Sequence, residues 1–200
     1  MRLLELADYR ERVVALYREG RQDGEEGALD WRRRREELFL THPSSPLAGG
    51  SGATPSYFPY DPEAVFATSL EPAEGAIEVD TGGQDGVVRY ARIGQMETPY
   101  GPLTLFWTLG YGGGLFLPVR DATSREESYG GGRYLTDTIK GTFGRGVRLD
   151  GEAVTLDFNY LFNPSCAYDA RWLCPLAPPE NRLGEPVRAG ETAFTAAVPS

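Results

Sequence analysis

Between residues 3 and 20 the apolar positions Leu3, Leu4, Ala7, Val13, Val14, Leu16 and Tyr17 recur at helical spacing among charged residues. That pattern predicts an amphipathic helix. Gly24 and Gly27 interrupt it, and Asp30 then stands where a second helix from Trp31 to Leu40 needs its cap, with Trp31, Leu38 and Phe39 on the apolar side. Arg32 to Arg35 form a basic run. Glu36 and Glu37 follow Arg32 and Arg33 by four residues, so the run is expected to be a solvated face laced by ion pairs, with anion binding as the lesser alternative. Pro43 to Pro55 is loop, with His42 satisfied structurally at its start and Leu47 tucked into the core.

Beyond residue 56 the period changes to two. Phe58 and Tyr60 begin it, followed by Ala64–Leu70, Ile77–Val79, Val87–Ile93, Leu103–Leu109, Leu115–Val119, Val147–Leu149 and Val154–Tyr160, with a last strand at Val187–Glu191. Strong turn signals separate them, among them Thr81-Gly82-Gly83, Tyr111-Gly112-Gly113-Gly114 and the hairpin pair Asp150-Gly151. Short strands without intervening helices predict a mainly β, α+β fold: an antiparallel β-barrel or sandwich meander with two N-terminal helices. The organisation expected is a helical segment over 1–42 packing on the main domain, a loop over 43–56 and an antiparallel β domain over 57–200.

Composition adds limits. The 200 residues carry a formal charge of −9, which disfavours nucleic acid and anionic membranes as partners. No uninterrupted apolar run is long enough to cross a membrane, and Met1 to Val13 contains no secretory h-region, so a soluble cytoplasmic protein is expected. Nothing marks a nucleotide, haem or flavin cofactor. Oligomeric state is not legible.

Three stretches hold the candidate chemistry. In Phe116 to Tyr134, a strand delivers Arg120 and Asp121 to a sheet edge, and Gly130-Gly131-Gly132 returns Arg133 and Tyr134 nearby. Glycines let backbone approach a ligand, and arginine forks suit a carboxylate or phosphate; a plain turn with an internal ion pair explains the same residues. In Val154 to Tyr160 the alternation puts Thr155, Asp157 and Asn159 on one polar face, lining a lumen or merely meeting water.

In the third stretch, Asn163-Pro164 stops the strand, Cys166 and Cys174 follow, and a proline-stiffened segment ends in Glu180-Asn181-Arg182. The cysteines suit buried thiols, a disulfide or a nucleophile at Cys166, with His42, Asp157 or Glu180 as base. A metal site would need two more ligands, and none is assigned.

The runs RDATSREESYGGGRY and LDFNYLFNPSCAYDARWLCPLAPPENRL, with VRAGE after them, resemble the prokaryotic family catalogued as domain of unknown function 1684. The resemblance extends over essentially the whole chain, including SPL at 45–47 and YFPYD at 57–61. It implies no activity, but its signature segments fall on Arg120–Tyr134 and Asp157–Arg182. The expectation is therefore a pocket where these two segments converge, taking a small polar or anionic molecule. Arg120, Arg133 and Arg182 would supply charge there. Asp121, Asp157, Asn159, Asn163 and Asn181 would supply hydrogen bonds, and Tyr134 and Trp172 apolar walls. The alternatives are a hydrolase or transferase using Cys166, Asp157 or Glu180, and a structural clasp that binds nothing.

Overall fold

The computed structural model describes residues 3–19, 23–48, 53–82, 86–151 and 153–195. Helix α1 spans Leu3–Arg18 and α2 spans Gly24–Thr41. The second helix starts well before Trp31, so Asp30 lies inside it and Asp23 takes the cap position. Gly27 is tolerated in the helix because it is buried beside Ala28, and packing overrides the roughly 1 kcal/mol intrinsic cost of glycine. Glu25 and Glu26 in the first turn suit the positive end of the helix dipole.

The arginine run is also not one solvated face. Arg33 pairs with Asp30, and Arg34 reaches Glu19, whereas Arg32 and Arg35 point inward and are buried. Arg32 donates to Phe58 O (3.0 Å). Four consecutive residues cover the whole circumference of a helix, so they cannot share one environment. His42 is buried as expected, its Nε2 2.9 Å from Asp8 Oδ2 and its Nδ1 accepting from Ser44 N–H, and Leu47 is buried too.

The strands are β1 (Val65–Ser69), β2 (Glu71–Pro72), β3 (Ala76–Asp80), β4 (Val87–Met96), β5 (Leu103–Leu109), β6 (Gly114–Val119), β7 (Arg133–Asp137), β8 (Val147–Asp150) and β9 (Ala153–Asp157). All pairings are antiparallel. One sheet runs β1-β9-β8; the other runs β2-β4-β5-β6-β7, with β3 also paired to β4. The pairs do not close into a barrel, so the sandwich-like alternative is the correct one. Asp150 opposes Ala153 across the predicted β8–β9 hairpin, where Gly151 adopts φ +62°.

The larger sheet is covered on both faces. Leu103, Leu105, Leu117 and Leu135 join Val154, Leu156 and Phe158 between the two sheets. Phe106, Phe116 and Tyr134, of opposite parity, meet Val13, Leu16, Tyr17 and Trp31 from the helices. Within β4, Tyr90 faces the helices while Met96 faces the other sheet, although both positions are even. The bulge between Arg92 and Gly94 reverses the parity. A Cβ on Gly94 would lie 2.7 Å from Glu71 O, so glycine lets the edge strand approach there.

One expected strand is absent, one ends early, and one strand was not expected. Strand β9 stops at Asp157, where Phe158–Tyr160 forms a 3-10 turn, and the 187–191 segment enters neither sheet among the described residues, making an isolated bridge from Glu191 to Tyr57. Strand β7 follows the triple glycine directly, and all five of its residues are buried. Its charged and hydroxyl-bearing residues hide the strand signal in RYLTD.

Candidate functional site

Of the predicted site residues, Asp121 and Arg133 come together most tightly. Both side chains are fully buried, with Arg133 Nη2 2.8 Å from Asp121 Oδ2. The same guanidinium donates to Val187 O (2.8 Å), Ala189 O (2.6 Å) and Glu191 O (3.0 Å). The other Asp121 oxygen accepts from Thr123 N and Oγ1 and from Val187 N. The chain curls around one cation where a strand partner was expected, and Gly190 at φ +77° permits the curl. Burial pushes the Asp121 carboxyl up, but Arg133 and the hydrogen bonds from Thr123 and Val187 outweigh it and leave it below its ordinary value.

The asparagines and Glu180 are engaged in the same way. Asn181 accepts from Thr104 N (2.9 Å) and donates to Thr104 O and Pro118 O, clamping the loop to β5 and β6. Asn159 exchanges hydrogen bonds with the Asp61 backbone, and Asp157 caps the 3-10 turn through Asn159 N (3.0 Å). Burial raises the Asp157 carboxyl above its ordinary value. Glu180 forms a two-point pair with Arg92 at 2.8 and 2.9 Å. Arg120 and Arg182 are bridge partners on neighbouring chain segments. Among the described residues no hydrogen bond or ion pair connects Asp157 or Asn159 with Arg120, Arg133 or Arg182.

A cleft of about 70 Å³ opens instead between the helices and the segment after Phe162. Leu6, Tyr9, Val13 and Leu16 of α1 form one wall and Leu38 and Phe39 of α2 another. Tyr134, Phe162 and Trp172 close it from the β side. Tyr134, Asn163 and Trp172 are the sequence-predicted residues that line it. Its cations are Arg10, Arg35 and Lys140, and no carboxylate lines it. Arg35 Nε and Asn163 Oδ1 are buried there without a hydrogen-bond partner. Burial works against the Arg35 charge, but Glu191, 3.0 Å away, overrides that and raises its pKa. Glu191 Oε2 in turn accepts from Asn163 N (2.5 Å) and Tyr168 OH (2.6 Å).

Beside the cleft the two cysteines are free thiols in contact with each other. Cys166 sits on the 3-10 turn Ser165–Ala167 and Cys174 in the extended segment after Trp172. Both the Cys166 thiol and its backbone N–H hydrogen-bond to the Cys174 sulfur, which Lys140 Nζ approaches to 3.9 Å. These donors bring Cys174 down to about 6, against burial and the negative Asp137. Cys166 is pushed up, first by its bond to Cys174 and then by burial, while Tyr129 OH lies 3.6 Å from its sulfur. Of the two sulfurs, Cys174 is the one that the Lys140 ammonium approaches, while the candidate Cys166 contacts the Tyr129 hydroxyl. Sequence reasoning also passed over Arg35, Lys140 and Glu191, which acquire their chemistry only from distant partners. Among the described residues no group of three or more His, Cys, Asp or Glu side chains is disposed to hold a metal.

These layers define an α+β protein with a sandwich-like pair of sheets and a helical cover. The chain belongs to the family described as protein of unknown function (DUF1684), whose model matches residues 53–192. The matched span holds both sheets and both cysteines and begins after the helices and the SPL run, a shorter reach than the resemblance suggested. A solution NMR structure of an uncharacterised protein from Haloarcula marismortui is 30% identical, with TM-score 0.55 over 84% of this chain and 96% of that one. Among curated proteins none matches. No helix among the described residues is long and apolar enough to cross a membrane.

Proposed function

We propose that the protein binds a small organic anion in the cleft between its helices and the 162–172 segment. The observation that carries this reading is the lining: three cations and no carboxylate, in a chain of net charge −9. Arg35 and Asn163 bring a guanidinium and an amide to the same lining, groups suited to a carboxylate and to a ligand hydroxyl. The aromatic and aliphatic walls exclude water, which strengthens a buried charge interaction. A volume of about 70 Å³ holds about five water-sized groups, which matches a short-chain carboxylate.

Thermal shift of the full chain with butyrate or hexanoate, against the matching alcohols, tests this. The carboxylates raise the melting temperature and the alcohols do not. The double variant Arg10→Met/Lys140→Met weakens binding about tenfold, since exposed charge contacts contribute up to about 1 kcal/mol each. Equal shifts from acid and alcohol, or full affinity in the double variant, would refute the reading.

A second reading rests on Arg120 and Arg182. They are cross-segment neighbours, and neither guanidinium has an acidic partner among the described residues. An anion held there would lose affinity in Arg120→Ala and be untouched by Lys140→Met.

A further inference from the structure

We infer that Cys166 and Cys174 form a reactive dithiol that reduces hydroperoxides, with Cys174 as the attacking sulfur and Cys166 as the resolving thiol. This site adjoins the anion-binding cleft and shares Lys140 with its lining, but it does not rest on an anion being bound there.

Two thiols eight residues apart in sequence are folded into hydrogen-bonding contact, and the local backbone aims the Cys166 N–H at the Cys174 sulfur. Lys140 reaches that sulfur from the 3-10 turn following β7, and Tyr129 holds the other. Buried structural cysteines need neither a cation nor a second sulfur beside them. A thiolate does, and its attack needs a proton source for the leaving group. Cys174 is 5% exposed, and Cys166 beside it is half-buried.

The chemistry closes. The Cys174 thiolate attacks one peroxide oxygen, so that an S–O bond forms and the O–O bond breaks. The departing alkoxide or hydroxide takes a proton from the Lys140 ammonium and leaves as alcohol or water. Cys166 then attacks the Cys174 sulfenic acid; the S–S bond forms, the S–O bond breaks, and hydroxide leaves with the Cys166 proton as water. Lys140 is reprotonated from solvent. One dithiol is oxidised to a disulfide and one hydroperoxide reduced, and two equivalents of a small thiol return the pair to its starting state.

The groups facing Cys174 are Cys166, Lys140, Asp137, Tyr90, Tyr129 and Tyr134. Of these, Lys140 and Asp137 carry charge, and they oppose each other.

The test treats the reduced full chain with limiting hydrogen peroxide and maps the product by peptide mass spectrometry. The expected product is a Cys166–Cys174 disulfide, and a sulfenic-acid trap added early labels Cys174 at least about tenfold over Cys166. Cys166→Ser accumulates trapped sulfenic acid at Cys174, and Cys174→Ser forms no intramolecular disulfide. Lys140→Met moves the pH midpoint of Cys174 labelling upward, and Lys140→Arg restores it, whereas a merely structural lysine would move neither. Equal or preferential early labelling of Cys166, or a dithiol that survives excess peroxide intact, would overturn the inference. The wild-type mapping decides by itself if a variant fails to fold.

Discussion

The Arg133 cluster and the helix-lined cleft each hold a fully or nearly fully buried arginine, a buried carboxylate and a loop rich in glycine or proline. They differ in what is left over. Around Arg133 the two terminal nitrogens meet four acceptors, and Asp121 is filled from three sides. Its Nε is buried without a partner, and the guanidinium lies over the Phe58 ring. Arg35 also has a carboxylate partner, but it lines a cleft together with Asn163 and two further cations. Density of polar residues therefore does not distinguish a clasp from a site. The surroundings do: around Arg133 the chain's own carbonyls take up both terminal nitrogens and the cluster fixes the fold, whereas Arg35 borders a cleft that holds two further cations.

Removing Arg133 should produce the largest effect. Arg133→Met leaves Asp121 charged and buried and strands three carbonyls, so unfolding stability should fall by about 3–5 kcal/mol in urea titration. A loss below about 1 kcal/mol would mean that the cluster does not hold the C-terminal segment. Asn181→Ala removes three hydrogen bonds from β5 and β6, and a loss of about 2 kcal/mol is expected in the same titration. In contrast, Arg92→Ala should cost at most about 1 kcal/mol, because that two-point pair is partly open to solvent.

The smallest effects separate the two regions by pH. The folded carboxyl of Asp121 titrates below its unfolded value, so its stabilisation is present above about pH 4 and is lost as pH falls through the lower, folded value. Burial raises Asp137 beside the thiols, with Lys140 opposing, so its ionised form opposes folding above the folded pKa and that penalty disappears in acid. Asp137→Asn should therefore melt slightly higher than wild type at pH 7, and the gain should vanish near pH 3. The same variant should move Cys174 labelling to lower pH, opposite to Lys140→Met. A pH-independent difference would show that Asp137 is not the buried charge beside Cys174.

The fold class was largely legible because periodicity survives in any environment that is half buried. Alternation marked the strands from β3 to β6 and the β8–β9 hairpin, and Asp150-Gly151 marked its turn. β7 escaped because a strand buried on both faces carries no alternation, and RYLTD takes its polar residues inside with partners. The 187–191 run showed the converse: it alternates, yet its carbonyls go to Arg133 rather than to a neighbouring strand.

The candidate site was legible only in outline. The segment around the two cysteines stood out by composition, and Tyr134, Asn163 and Trp172 do line a cleft. Which sulfur has a cation beside it depends on Lys140, 34 residues from Cys174 in sequence. The cleft itself needs α1, whose contribution reads in sequence as no more than an amphipathic face. Local spacing determines helices, strands and turns because those are set by neighbours along the chain. Charge state, cavity and leftover hydrogen-bonding capacity are set by groups far apart in sequence, and only the tertiary structure decides which of them meet.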